Sequence, residues 1–161
     1  MFAAKRWTLF VEALALPAIG AREFDALPTP FRAVATDLET GAPVVLDHGD
    51  LGASLRAASA LPGLFPPVEL DGRLLTDGAL SNALPVDVAR ALGAEIVIAI
   101  ELDPPVAKKD SVTSYLDVGE QILRLHEAES RAKHAAELGP RDVRLVLGVE
   151  ERSLLSHAQA L

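Results

Sequence analysis

Asp77 is the residue in this chain whose surroundings raise a chemical question. It stands in Leu74-Leu75-Thr76-Asp77-Gly78-Ala79-Leu80, an acid among apolar neighbours. Burial disfavours the charged form of a carboxylate, so an aspartate in such a setting shifts toward neutrality and becomes able to accept and return a proton. The same Asp-Gly pair is also an ordinary turn former, with the carboxylate capping the backbone that follows. Local pattern leaves both readings open. Gly78 suits either, because without a Cβ it allows a sharp turn and the close approach of another backbone or of a substrate.

Other side chains of chemical interest read more quietly. Ser54 lies in Gly52-Ala53-Ser54-Leu55-Arg56, which has the first glycine of a G-x-S-x-G elbow but an arginine where the second belongs, and it falls inside a predicted helix. Ser59 and Ser81 have no elbow glycines. His126-Glu127 opens like H-E-x-x-H, yet the position of the second histidine holds Ser130. His126 and His134 read as solvated positions on a charged helix, and no metal ligand set is assigned. Asp37 and Asp47 flank one hairpin, where turn chemistry accounts for them. Arg56 reads as a salt-bridge or surface residue. No cofactor motif is found.

These residues need elements to hold them. The runs 31–38 and 43–47, joined at Glu39-Thr40-Gly41, predict a hairpin. Asp50 predicts an N-cap for a helix over 51–60 that Pro62 and Gly63 must end. Residues 68–70 and 73–75 flank Asp71-Gly72, the pair that best supplies the two positive φ angles of a type I′ turn. Pro85 fits the first turn of a helix through Leu92, with Gly93 as its terminator. The β-branched run 96–100 reads as a strand covered on both faces, as in a parallel sheet flanked by helices. A helix over about 114–138, closing at Gly139-Pro140, and a strand over 143–149 complete the series. The fold class expected is α/β. Asp77 then falls at the end of a strand, where α/β proteins collect active-site side chains.

Five segments in this order carry a resemblance: ATDLETG (35–41), RAASALPGLFPPV (56–68), the D-G-A triplet Asp77-Gly78-Ala79, the N-x-x-P of Asn82 to Pro85, and LGAEIVIAI (92–100). Together they make the stretch from Pro28 to Ile100 closely similar to the second half of the patatin-like phospholipase family. The resemblance implies a three-layer α/β/α hydrolase fold with a mainly parallel central sheet, incomplete here. It implies a lipid acyl hydrolase of the phospholipase or esterase type working through a serine–aspartate dyad. Asp77 would be the base, supported by Gly78, Ala79, Asn82 and Pro85, and lipid or acyl ester the substrate.

The family's nucleophile sits in a G-x-S-x-G elbow behind a glycine-rich oxyanion loop, and this sequence has neither. The expectation is therefore a single partial domain over 1–161: a variable helical region over 1–27, the matching core over 28–100, and a C-terminal helix and strand over 101–161. The serine would come from an N-terminal segment outside the chain. A segment supplied separately, or a non-catalytic binding or scaffold remnant of the same fold, are the alternatives.

Composition agrees with one globular domain: 161 residues, 50% hydrophobic and 24% charged. The net charge of -8 opposes a nucleic-acid surface. The absence of cysteine excludes disulfides and thiolate chemistry and agrees with a cytoplasmic setting. At the N-terminus, Lys5 and Arg6 precede an apolar run that Glu12 interrupts, so an amphipathic helix is expected rather than a leader or a membrane span. Its stripe of Phe2, Trp7, Phe10 and Leu14 is expected to pack on its own domain, with peripheral contact to a lipid surface as the lesser reading.

Overall fold

The structure is a computed structural model that describes residues 2–18, 20–103 and 112–148, the side chains of residues 2–4 excepted. The described residues fall into two compact units, one ending at Ser81 and the other beginning at Asn82.

In the first unit, strands β1 (Ala33–Asp37) and β2 (Pro43–Leu46) form the expected hairpin. Its turn is fixed from the sequence outward. The Asp37 carboxylate accepts the backbone N–H groups of Glu39 at 2.8 Å and Thr40 at 3.3 Å, while Gly41 takes φ +72°. Helix α2 (Leu51–Ala58) begins at Asp50, whose Oδ1 accepts the Ala53 N–H at 2.6 Å. A cap of this kind is worth about 1 kcal/mol, a large share of what so short a helix can supply for itself. Strands β3 (Val68–Leu70) and β4 (Arg73–Asp77) follow. Between them Asp71 and Gly72 both hold positive φ, +50° and +72°, as a type I′ turn requires.

The four strands form one sheet in the order β2-β1-β4-β3, every pair antiparallel. Ala33, Ala35, Leu46, Ala57 and Leu75 make its buried core, where α2 lies on the sheet. Three of the five are alanines, so helix and strands approach closely. Helix α1 (Phe2–Ala15) lies against α2 through Glu12, which reaches Arg56, and through Ala15 beside Gly52. Its buried positions are Val11 and Ala15, whereas Phe10 and Leu14 are exposed. The predicted stripe is thus only partly the packing face: Trp7 is stacked on Phe65, and the Phe2 side chain lies outside the described residues.

The second unit holds the short helices' continuation and the last strands. Helix α3 (Ala79–Asn82) spans the junction, α4 (Val86–Ala91) follows Pro85, and Gly93 takes φ +90° just beyond the helix. Strands β5 (Ile98–Asp103) and β6 (Val143–Gly148) pair in parallel, connected through α5 (Tyr115–Ala135). Helix α5 opens with a reciprocal cap: the Ser114 hydroxyl accepts the Asp117 N–H at 3.2 Å, and the Asp117 carboxylate accepts the Ser114 N–H at 2.7 Å. Asp142 then ties strand to helix end, accepting the N–H groups of Val97 at 2.8 Å and Gly139 at 2.6 Å. Those bonds, the Val97 N–H foremost, hold its carboxyl below the usual range.

The fold is mixed α/β, and two expectations about its sheets are revised. Among the described residues parallel pairing is confined to β5 and β6, while the larger sheet is antiparallel. Short turns account for two of the antiparallel pairs, β1 with β2 and β3 with β4, while β5 and β6 are joined by the long crossover through α5 that a parallel pair requires. The β5 run is also not covered on both faces. Ala99 and Glu101 point inward and are buried, but Ile98, Ile100 and Leu102 are 65%, 62% and 59% exposed. In register beside them, Val143, Leu145 and Leu147 of β6 are exposed as well. Leu84, Val86, Val97 and Ala99, with Ala135 and Leu138 against them, account for the covered side. The predicted end of β6 at Val149 lies outside the described residues.

Candidate active site

Asp77 is the last residue of β4, and the first unit holds it from several directions. Its N–H donates to the carbonyl of Ala60 at 3.2 Å, and the Thr76 hydroxyl donates to the same carbonyl at 2.7 Å. The end of β4 is thereby fastened to the segment that leaves α2. On the other side Ala35 of β1 is its partner in register. Gly78 follows with its Cα so near β1 that a Cβ there would lie 2.1 Å from the Val34 carbonyl oxygen and 2.7 Å from its carbon. No residue other than glycine fits that approach without moving a strand. Ala79, the third member of the triplet, donates its N–H to Asp77 Oδ1 at 2.9 Å.

The carboxyl of Asp77 is half-buried. Burial raises its pKa above the usual carboxylate range, and the Ala79 N–H, which favours the charged form, opposes that rise only in part. The two sequence readings of this residue therefore occupy different oxygens. Oδ1 caps the turn, as Asp-Gly pairs do. Among the described residues no hydrogen bond engages Oδ2, which leaves one oxygen for a proton. A carboxyl of raised pKa with one uncommitted oxygen can take a proton from a hydroxyl within reach and give it back.

Asn82 and Pro85 belong to the second unit. Asn82 is buried and donates through Nδ2 to Asp87 Oδ1 at 2.9 Å. Pro85 is exposed and precedes α4, with its carbonyl accepting the Ala89 N–H at 3.2 Å. Pro85 stands at the start of α4, and Asn82, the last residue of α3, is tied to the first turn of α4. The triplet Asp77-Gly78-Ala79 is brought together in one turn.

The remaining candidates are engaged elsewhere. Ser54 is buried within α2. The Ser59 hydroxyl donates to the Leu55 carbonyl at 2.6 Å and accepts Trp7 Nε1–H at 3.3 Å. Asp37 caps its hairpin. Asp47 meets His48 Nδ1 at 2.6 Å, a bond that lowers the pKa of the carboxyl and raises that of the imidazole. Arg56 reaches Glu12 at 3.9 Å. His134 is a correction: it is buried rather than solvated, and because the Ser130 carbonyl can only accept, Nδ1 is the donor in their 2.7 Å contact. The helix side that carries His134 is the side packed against Leu84 and its neighbours, and charge elsewhere on α5 masks that in the sequence. A cleft of about 380 Å³ lies beside α1, bounded by Glu12, Arg22 and Gly52 among others, and Asp77 does not line it. Among the described residues no three His, Asp or Glu side chains gather as a metal site would require.

One participant escaped the sequence reading. Thr36 is buried in β1, and its hydroxyl reaches both Asp77 and Ser81. The available signal was a β-branched hydroxyl residue between Ala35 and Asp37 in a predicted strand.

The sequence model of the family described as patatin-like phospholipase matches residues 5–90, more than half of the chain. The chain belongs to the patatin-like phospholipase family. An NTE family protein of Mycobacterium tuberculosis is 41% identical over 85 residues, which cover 53% of this chain and 24% of that protein. Patatin-like phospholipase domain-containing protein 7 of Mus musculus is 42% identical over 83 residues, 50% of this chain and 6% of that protein. Patatin-like phospholipase domain-containing protein 6 of Homo sapiens is 40% identical over 83 residues, with the same shares. The matched stretches thus span about a quarter or less of these relatives.

Proposed function

We propose that this chain is part of a lipid acyl hydrolase in which Asp77 is the general base of a serine–aspartate dyad and the nucleophilic serine comes from outside these 161 residues. The observation that supports this best is the half-buried Asp77 carboxyl, capped on one oxygen and open on the other, at the end of a strand. In the mechanism, a serine hydroxyl within hydrogen-bond reach of Oδ2 attacks the ester carbonyl as Asp77 takes its proton. The tetrahedral oxyanion collapses, and Asp77 returns the proton to the departing alcohol. Water then attacks the acyl-enzyme with Asp77 again as base, and the serine leaves with the proton. Only a carboxylate raised toward neutrality serves in both directions, because a strongly acidic one would not hold the proton between steps.

The purified 161-residue chain is accordingly expected to show no hydrolysis of short-chain p-nitrophenyl esters and no labelling by a fluorophosphonate probe. Ser54 and Ser59 are tied into helix and aromatic contacts, so neither is an activated nucleophile. Stoichiometric covalent labelling of any serine in the chain would overturn this division of labour. The competing reading, a binding or scaffold role for the same fold, draws on the absence of G-x-S-x-G from the sequence. Expression of the coding sequence with its upstream portion decides between them: esterase activity supports the dyad, and an upstream region lacking a glycine-rich loop and elbow serine supports the scaffold.

Peripheral membrane contact belongs to the same proposal. Among the described residues no helix is long and apolar enough to cross a membrane. Helix α1 nevertheless exposes Leu9, Phe10 and Leu14, with Leu16 just beyond it and Lys5 and Arg6 on its first turns. Apolar side chains flanked by cations fit the surface of an anionic bilayer, where a hydrolase of this kind would meet its substrate. Burial of such side chains contributes roughly 1.5–3 kcal/mol each, so the pair Phe10→Glu and Leu14→Glu should reduce co-flotation with phosphatidylserine-containing vesicles by on the order of tenfold or more. Unchanged flotation would remove α1 from the account.

A further inference from the structure

We propose that Thr36 is the positioning residue for the Asp77 base, acting with Ser81 as a hydroxyl relay that holds the main chain of Asp77 in place; this rests on the reading of Asp77 as base. The geometry supplies the direction of every hydrogen. Thr36 Oγ1 lies 2.8 Å from the Asp77 carbonyl oxygen and 2.8 Å from Ser81 Oγ. A carbonyl only accepts, so the single Thr36 hydroxyl hydrogen is committed to Asp77. The hydrogen in the second contact therefore comes from Ser81, and the chain runs Ser81 O–H to Thr36 O–H to the Asp77 carbonyl.

The effect is to use up the freedom of one residue. Asp77 already spends its N–H on the Ala60 carbonyl and its Oδ1 on the Ala79 N–H. With its carbonyl taken by Thr36, both backbone polar groups of Asp77 and one carboxyl oxygen are fixed. What is left is Oδ2, held at a set place and direction. Thr36 is suited to this anchoring because it is buried within β1 and lies opposite Thr76 in the ladder, which leaves its own side chain little room to move. Ser81 closes the turn from the other end by tying α3 back to β1. Without the Thr36 hydroxyl, the Asp77 carbonyl loses a partner and the turn gains a pivot at the residue that must meet a serine at hydrogen-bond distance.

The test uses the protein completed with the upstream portion of its native coding sequence, assayed on a p-nitrophenyl ester. Thr36→Val keeps the shape and removes the hydroxyl. It is expected to lower kcat about 10- to 100-fold with KM altered less than about threefold, because misplacement of a reacting group of the order of 1 Å has effects of that size. Thr36→Ser restores the hydroxyl and is expected to return kcat to within about threefold of wild type, a rescue that a purely space-filling role for the threonine would not give. Ser81→Ala leaves the Thr36 to Asp77 bond in place and is expected to lose a smaller factor, about 3- to 10-fold in kcat. Should Thr36→Val not fold, Ser81→Ala and Thr36→Ser decide: wild-type kcat in the first, or a loss in the second as deep as in Asp77→Asn, overturns the relay. Asp77→Asn is run alongside. If it keeps full activity, the base reading falls and this inference with it. If it is inactive while folded Thr36→Val retains wild-type kcat, the relay alone is wrong.

Discussion

Asp77→Asn in the completed protein is expected to lower kcat/KM by at least ~10²–10⁴-fold, the range assigned to general base catalysis, without loss of fold. Asparagine keeps the shape of the side chain, and its amide oxygen can still accept the Ala79 N–H that Oδ1 now accepts at 2.9 Å. What it removes is the site for the proton. Stability should move in the opposite direction from activity. The carboxyl of Asp77 is raised by burial above 3.8, the ordinary value. A folded state that binds the proton more tightly than the unfolded chain loses stability as pH climbs from the unfolded pKa through the folded one. Above the unfolded pKa the half-buried carboxyl of Asp77 is therefore a cost to the fold, and Asp77→Asn should melt no lower than wild type. Below the unfolded pKa both side chains are neutral and the difference should vanish. Asp37→Asn makes a contrast, since it touches a hairpin cap and should leave activity nearly intact. A folded Asp77→Asn protein with near-full activity, beside an inactive Asp37 or Asp47 variant, would move the base to the hairpin.

Gly78→Ala should be the most damaging single methyl in the first unit. The added Cβ would lie 2.1 Å from the Val34 carbonyl oxygen, and the obstacle is strand backbone rather than the tip of a side chain. Relief requires β1 and β4 to part where Ala35 pairs with Asp77. Overpacking of ordinary cores costs about 1–3 kcal/mol, and a main-chain obstacle places this site at the upper end or beyond. The glycine of the D-G-A triplet thus has a structural reason that does not depend on catalysis: the turn carrying the base is pressed directly onto β1. Gly119→Ala in α5 is the control, since a Cβ there meets nothing within 4 Å. It should be neutral or stabilising by up to about 1 kcal/mol. Urea unfolding of the two variants checks the pair, and equal midpoints would mean that the close approach of Gly78 to β1 does not exist in solution.

What could be read from the sequence was local. The Asp71-Gly72 turn, the Asp50 cap and the Gly93 terminator each depend on a few consecutive residues, and each is found where the spacing placed it. Asp77 was legible as a strand-end acid for the same reason. Strand order was not, because the pairing of β1 with β4 joins residues far apart in the chain and nothing near either strand encodes its neighbour. The apolar run at β5 misled in a specific way: continuous hydrophobicity records which faces a strand is able to bury, and here Ile98, Ile100 and Leu102 are left exposed. His134 was missed because a charged helix hides which side is packed. Thr36 was missed because its role lies in a contact with Asp77 and Ser81 across the sheet, and a hydroxyl in a strand gives no local sign of the partner it will meet.

The most direct test of the central claim is the rate of fluorophosphonate labelling of the completed protein as a function of pH, for wild type and for Asp77→Asn. If Asp77 is the base, labelling in wild type rises with pH through a single midpoint above the ordinary aspartate range, and in Asp77→Asn that rise disappears along with most of the rate. The same rate and the same pH profile in both proteins would contradict it.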